Sequence, residues 1–395
     1  MKQYDVVIAG GAMAGATLAV ALNNLSGGRL KVAVVEAVAP KLDQHPGYDA
    51  RSIALSLGSA NLLQDIGIWP QVAELATPIS HIHVSDQGHA GIAHIDAGEQ
   101  GVDALGYVVE LADVGTLLHK QLNDLEQVDL LCPAMITDIL RSQEAVTLTL
   151  EQGGSISGKL LVTADGALSG CCDRLGIGRS EYDFGQVAVI ANITTAEVHK
   201  GRAFERFTPY GPVALLPMSE GRSSLVWCIQ PEEQQKVLSW SDEQFLAELQ
   251  KAFGWRLGQL VKTGSRCAYP LLLRQAQRIT SHRVTVVGNA AQTLHPIAGQ
   301  GFNLGLRDVM TLAEEVVRGV ETGEDPGSTS VLSRYRQRRA PDREATVGMT
   351  SGLVGLFANC SLPLVVGRNT GLLVMSLFDT LKAPLIRRAM GQVER

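Results

Sequence analysis

The stretch from Tyr4 to Glu36 constrains this chain more than any other. Tyr4 to Ala9 is a short run rich in β-branched residues, the pattern of a buried strand. A glycine-rich turn follows, Gly10-Gly11-Ala12-Met13-Ala14-Gly15, and then Ala16 to Leu25, an Ala/Leu-rich segment that reads as a helix. Lys31 to Glu36 is a second apolar strand that ends in an acid. Strand, helix and strand in so short a span make a βαβ unit, with parallel strands and a right-handed crossover.

The turn has the physical logic of nucleotide binding. Its first glycine allows the sharp exit from the strand, and its last allows the helix to pack close to it. The helix N-terminus offers unpaired N–H groups to a pyrophosphate. Glu36, at the end of the second strand, can accept hydrogen bonds from a ribose. Ala12 stands where the G-x-G-x-x-G fingerprint has its middle glycine, and its methyl group crowds the phosphate approach.

The rest of the chain divides into blocks. Residues 80–110 and 180–275 hold short runs separated by turn signals. Gln186 to Ile193, Ala203 to Thr208, Val213 to Pro217 and Ser223 to Ile229 read as strands, with hairpin turns at Pro209 to Pro212 and Ser219 to Arg222. This is an antiparallel sheet and a second domain. Ala145 to Leu150 and Lys159 to Ala164 read as strands that return to the first. Val284 to Val287 is another buried strand, and Asn303 to Val320 a long helix. The tail from Val347 is apolar with helical spacing.

With 395 residues, 45% of them hydrophobic and 19% charged, the composition is that of a globular chain of two or three domains. The formal net charge of −6 argues against a generally basic nucleic-acid binder. Six cysteines (132, 171, 172, 228, 267 and 360) include no C-x-x-C pair, so no metal site is expected and the thiols read as reduced, in a cytoplasmic protein. Lys2 and the run after it differ from a signal peptide, because Asp5 and the glycines interrupt it. The longest apolar stretch, Leu362 to Phe378, is interrupted by Arg368 and Asn369, so no membrane span is expected.

Two further motifs carry chemistry. Asp165-Gly166 directly follows a strand; alone it reads as a turn. Then come Gly288-Asn289-Ala290-Ala291 and His295-Pro296-Ile297-Ala298-Gly299-Gln300-Gly301-Phe302-Asn303-Leu304-Gly305, with Asp308 beyond. A buried strand ending in Gly-Asn, and a Pro/Gly loop opening a long helix, present N–H groups and a positive helix end to an electron-rich ring edge.

These three segments in this order resemble the FAD-dependent aromatic hydroxylases of the p-hydroxybenzoate hydroxylase fold. His295 to Asp308 is similar to the signature of their ubiquinone-biosynthesis branch. His45-Pro46-Gly47-Tyr48-Asp49, Ala203-Phe204-Glu205-Arg206-Phe207, Trp227-Cys228 and Gly367 to Leu372 extend the resemblance to nearly the whole chain, and to members that act on a 2-polyprenyl-6-methoxyphenol. The fold implied is α/β: a Rossmann-type FAD-binding domain (1–75, 106–180 and 276–345), an inserted antiparallel-sheet substrate domain (76–105 and 181–275) and a C-terminal helical segment (346–395).

The resemblance implies that Gly10, Gly11, Ala12, Met13, Ala14 and Gly15 hold the FAD pyrophosphate and Glu36 the ribose. Arg51 and Asp165-Gly166 would lie near the cofactor, Asn289 on its ribityl chain, and the backbone of Gly299, Gln300, Gly301, Phe302 and Asn303 against the flavin ring. Cys172 stands where many relatives have an arginine. NADPH or NADH and O2 would be co-substrates, with the flavin and not a side chain carrying the chemistry; His295 and Pro296 are candidates to line the active site. The substrate implied is a hydrophobic polyprenylated phenol, and the partners implied are other ubiquinone-biosynthesis proteins. Two features could serve a contact with the cytoplasmic membrane face: the apolar tail and the Arg-rich stretch 334–343. Otherwise they are core packing and a solvated helix face. Trp227 reads as core. The cofactor motifs leave open a sister hydroxylase acting at another ring carbon, a prenyl reductase, and a non-catalytic subunit of a biosynthetic complex.

Overall fold

The computed structural model describes residues 1–38, 51–359, 361–377 and 379–393. The segment His45 to Asp49 lies outside the described residues.

The first strand, Lys2–Ala9, is central in the principal sheet, paired in parallel with Val32–Val35 on one side and Ser155–Thr163 on the other. Val128–Leu131 and Val284–Val286 extend the sheet outward, also in parallel. Val6, Val7 and Ile8 are fully buried, as expected of a strand covered on both faces. One covering layer is the helix Met13–Ser26 packed on the long helix Gln300–Glu321.

The second sheet runs in the order Gln292–Thr293, Cys267–Ala276, Arg179–Thr195, Arg222–Ile229, Gly211–Pro217, Arg202–Thr208, His81–Asp86, Ile92–Asp96. Its pairings are antiparallel except that of Arg202–Thr208 with His81–Asp86. One face is packed by the helix Asp242–Phe253 through Phe245, Leu249 and Phe253. Trp227 belongs to that core, against Trp240 and Phe245. The other face looks toward the C-terminal helices. A small sheet, Ser52–Ser56 with Gly106–Glu110 and Thr77–Ile79, lies between the two large ones in the chain order.

Two expectations are corrected here. The helical tail does not begin at residue 346: one helix runs Thr329–Ala358 through Pro341. The Arg-rich stretch is not a free basic patch: Arg336 is exposed, but acids pair with Arg334, Arg338 and Arg339. Arg334 and Arg338 both pair with the buried Glu315, and they also reach Glu324 and Glu314 respectively. Arg339 is fully buried between Asp308 and Asp342, each 2.7 Å away, and Arg307 also binds Asp342 at 2.7 Å. Two guanidiniums and two carboxylates thus form a compensated buried cluster joining the two long helices.

The helix Leu362–Leu377 continues through Arg368 and Asn369. Arg368 turns inward, binds Asp86 at 2.9 Å and donates to the carbonyls of Leu356, Phe357 and Asn359, which fixes the bend between this helix and the one before it. Among the described residues no single helix is long and apolar enough to cross a membrane.

Candidate active site

A cavity of about 1710 Å³ runs between the principal sheet and the inward face of the second sheet. Cavities for one small ligand are usually about 300–1,000 Å³, so this one has room for a large cofactor and a second molecule. Its two halves differ in chemistry.

The polar half is built at the end of the first strand. Gly10 has φ of 98° and its N–H donates to Val35 O; a side chain there would meet Ala164 O at 2.5 Å. Gly15 packs the helix on the strand so closely that a Cβ would lie 1.8 Å from Gly10 O. The helix that follows begins at Ala12 with no side-chain cap and no acid in its first turn. Its first N–H groups are therefore left for a ligand, and with the helix dipole they favour an anion. Ala12, Met13 and Ala14 line the cavity. Gly11 and Gly15 stand behind the wall, since Gly11 N donates to Glu36 Oε2 at 2.6 Å. The other Glu36 oxygen accepts from Val38 N at 2.8 Å.

Asp165 and Gly166 line the same half. Asp165 accepts from Ser169 Oγ and Cys171 N, which ties it to the short helix Gly170–Arg174. Cys172 is fully buried with its Sγ 3.8 Å from Thr163 Oγ1. The arginine that this segment sends to the cavity is Arg174. Arg51 reaches Tyr269 with its guanidinium, 5.8 Å above the ring.

The third motif forms the opposite wall. Asn289 lines the cavity from the turn Gly288–Ala290. Gly305 lets the long helix approach this turn, since a Cβ there would lie 3.1 Å from Gly288 Cα. That helix begins at Gly299, φ 59°, again with no side-chain cap. Gly299, Gly301, Phe302 and Asn303 line the cavity. The Asn303 side chain is a brace: Oδ1 accepts from Ser56 N and Ser59 Oγ, and Nδ2 donates to Ala54 O and Gly299 O. Gln300 points away, toward Ala389 O.

Pro296 lines the cavity and His295 does not. His295 is buried, with Nδ1 accepting from Ile297 N and Nε2 donating to Gln186 Oε1 at 3.0 Å. Burial lowers its pKa to about 4, so the ring is neutral and holds the loop. Its expected place on the active-site lining is therefore corrected.

Among the polar lining residues that the sequence reading missed are His119, Arg174 and Glu205. His119, with Nε2 3.1 Å from Gly11 O, comes from the helix Leu111–Asp124. Leu111, Gly115 and His119, four apart, mark the helix face turned to the cavity, and that spacing was a usable signal. Arg174 gave no such signal, and Glu205, on the strand Arg202–Thr208, is placed by cross-strand register.

The second half of the cavity is mainly apolar, with Glu205, Arg368 and Lys382 as charged members of its lining. The second sheet contributes Val84, Ala214 and Val226, and the C-terminal helices contribute Leu353, Leu372 and Met375. Phe207 and Phe357 stack across it at 3.6 Å.

Two uncapped helix starts, a backbone cradle that excludes side chains and a carboxylate at the second strand fit a dinucleotide cofactor. The comparisons agree. The FAD binding domain family model matches residues 3–350. The chain is 37% identical to the ubiquinone hydroxylase UbiL of Rhodospirillum rubrum, over 100% of this chain and 91% of that protein. It is 31% identical to the 3-demethoxyubiquinol 3-hydroxylase of Escherichia coli, over 98% of each. The crystal structure of the p-nitrophenol 4-monooxygenase PnpA of Pseudomonas putida shares the fold, with a TM-score of 0.81 over 99% of both chains at 18% identity.

Proposed function

Since the chain belongs to the family of FAD-binding aromatic hydroxylases, we propose that it hydroxylates the ring of a polyprenylated phenol, 2-polyprenyl-6-methoxyphenol, in ubiquinone biosynthesis. NAD(P)H and O2 are the co-substrates. The observation that carries this reading is the two-part cavity, polar at the dinucleotide end and apolar, deep and helix-walled beyond it.

In this reading Gly10, Ala12, Met13 and Ala14 hold the pyrophosphate, with Gly11 and Gly15 shaping the turn behind them. Glu36 takes the ribose by exchanging its contacts with Gly11 N and Val38 N for hydroxyl donors. Arg51, Asp165, Gly166 and Asn289 face the middle of the cofactor. The start of the long helix, from Gly299 to Asn303, stabilises negative charge at the ring edge. When bound, FAD supplies the chemistry: it takes a hydride from NAD(P)H and activates O2 for transfer to an electron-rich ring. The protein positions the phenol and keeps water out. Phe207, Phe357 and Leu372 serve both tasks.

Stopped-flow absorbance of the FAD-loaded protein, mixed anaerobically with NADPH, tests the reading. Flavin bleaching that speeds up with a short-chain prenylated methoxyphenol is the expected result. Bleaching indifferent to the phenol points to a reductase or another substrate, and failure to take up FAD points to a non-catalytic subunit. The second reading is a sister hydroxylase at another ring carbon, which the likeness to the 3-demethoxyubiquinol 3-hydroxylase favours. Mass and NMR analysis of the product separates the two.

A polyprenyl substrate resides in lipid, and the tail helices suit a bilayer surface. Leu362, Val366 and Leu373 are exposed at positions i, i+4 and i+11 on one side of a helix whose other side, with Leu372 and Met375, lines the cavity. Arg387 and Arg388 close the next helix. A helix apolar on both sides can lie in the interface with its outer face in the acyl region. The protein is expected to float with anionic liposomes, and the variant with Leu362, Val366 and Leu373 all changed to Glu to stay in the pellet fraction. Equal flotation of the two would end the idea. Contact with other ubiquinone-biosynthesis proteins belongs to the same reading.

A further inference from the structure

We propose that the helix-packed face of the second sheet holds a phosphate group, bound between Arg206 and Arg256 with Ser85 and His83 beside them. None of these four residues lines the cavity, and the site does not rest on the substrate reading above.

The register of the sheet assembles the site. Arg202–Thr208 and His81–Asp86 run in parallel, so that Arg206 stands beside Ser85, Phe204 beside His83 and Arg202 beside His81. The Phe204 ring marks the face these residues share: it lies 5.5 Å from Phe253 and 5.6 Å from His83. Phe253 ends the helix Asp242–Phe253, and Gly254 turns the chain so that Arg256 joins the group. A Cβ at Gly254 would lie 2.6 Å from Arg206 Nη1 and 3.7 Å from Arg256 Nη1, so a side chain there would displace the first guanidinium from the second.

The charges here do not balance. Arg206 and Arg256 both donate to the Phe253 carbonyl. A helix end carries about half a negative charge, against two full positive ones. Arg202 adds a third, with its donors on the His199 and Val198 carbonyls. Among the described residues no carboxylate pairs with any of the three, and Asp96, the acid on the adjoining strand, is held by His81 at 2.7 Å. Burial lowers the Arg206 pKa and the Arg256 charge lowers it further. Burial also takes His83 down to about 4, with Arg256, His94, Arg202 and Arg206 adding their repulsion.

Hydrogen bonding is unmet at the same place. Arg206 Nε, Ser85 Oγ and His83 Nε2 are buried and have no partner. Ser85 as a whole is 2% exposed. Each of these atoms can donate, and a protein interior leaves few donors without an acceptor. A phosphate answers both deficits. Its oxygens are acceptors for donors arriving from several sides, its charge offsets the arginines, and the planar guanidinium fork matches its edge.

The test uses the FAD-loaded protein, in which the cofactor's own pyrophosphate occupies the turn at Gly10. At equal ionic strength, inorganic phosphate should raise the thermal midpoint of wild type above its value in chloride. The His83 ring, followed by NMR, should titrate at a higher pH in phosphate, because the bound anion offsets the arginine charges. Arg206→Gln and Arg256→Gln should each weaken phosphate binding about tenfold or more. Arg29→Gln, at an ion pair with Glu321, is the control and should keep the full phosphate effect. Vesicles of phosphatidylcholine with and without phosphatidic acid identify the source of the phosphate. Binding that needs phosphatidic acid and is lost in Arg206→Gln assigns a lipid headgroup; free phosphate bound with no vesicle preference assigns a soluble phosphate compound. Equal midpoints in phosphate and chloride overturn the proposal, as does an equal loss of the effect in the Arg29 control. Variants at Arg206 and Arg256 that are less stable yet keep the wild-type phosphate response also overturn it, and leave the two arginines as caps of the Phe253 carbonyl.

Discussion

Asp308→Ala should destabilise the protein by about 3–5 kcal/mol, read as a fall in the urea midpoint, because it leaves a buried guanidinium short of its counter-charge. Asp308 is fully buried; one oxygen accepts from Arg339 Nε at 2.7 Å and the other from Gln292 Nε2 at 2.8 Å. Arg339, Asp342 and Arg307 complete the cluster. Removing one acid leaves two arginines against one aspartate in a dry interface. The double variant Asp308→Ala with Arg339→Met should recover a substantial part of the loss, since it restores charge balance. A single variant within about 1 kcal/mol of wild type would mean that water reaches the cluster. The same cluster sets an acid limit. Burial pushes the Asp342 carboxyl up, but Arg307 and Arg339 outweigh burial and hold it below its ordinary value. Its contribution is therefore complete above the unfolded pKa of about 3.9 and is lost as the pH falls through the lower folded value.

Gly15→Ala should abolish FAD binding and cost roughly 3 kcal/mol. The added Cβ would stand 1.8 Å from Gly10 O and 3.1 Å from Ile8 Cγ2. Neither neighbour can yield: one is the backbone of the turn, the other a fully buried side chain of the central strand. The helix must lift off, and its free N–H groups leave the cavity with it. Gly348→Ala is the control, because it is helical and nothing lies within 4 Å of the added atom. There the same change should raise stability by about 0.5–1 kcal/mol. Purified flavin content and thermal midpoints of both variants check the pair. A Gly15→Ala protein with full flavin would disprove the close-packing account.

What could be seen in the sequence follows from the range of each signal. The first strand, the glycine turn, the helix and Glu36 lie within one βαβ unit, so spacing alone fixed their relation. The loop from His295 to Asn303 was legible as a helix start, while its division of labour was not. His295 and Gln300 turn away, and the Asn303 side chain braces Ser56, Ser59 and Ala54, residues far earlier in the chain. The arginines of 334–343 looked solvent-facing because their partners Glu314 and Glu315 sit on the other long helix. Asp342, only three residues past Arg339, gave a hint that charge counting ignored. Glu205 stands in a segment that carries the resemblance, but its place on the cavity lining depends on cross-strand register with residues far away in the chain.

The apolar chamber has one wall complete by residue 229 and the other supplied by residues up to 390. Translation proceeds at roughly 5–20 residues per second, so on the order of ten to thirty seconds separate the emergence of the two. During that interval the nascent chain presents Val84, Ala214 and Val226 on an uncovered sheet face. Until the C-terminal helices cover it, that face is the surface through which the growing chain can associate wrongly.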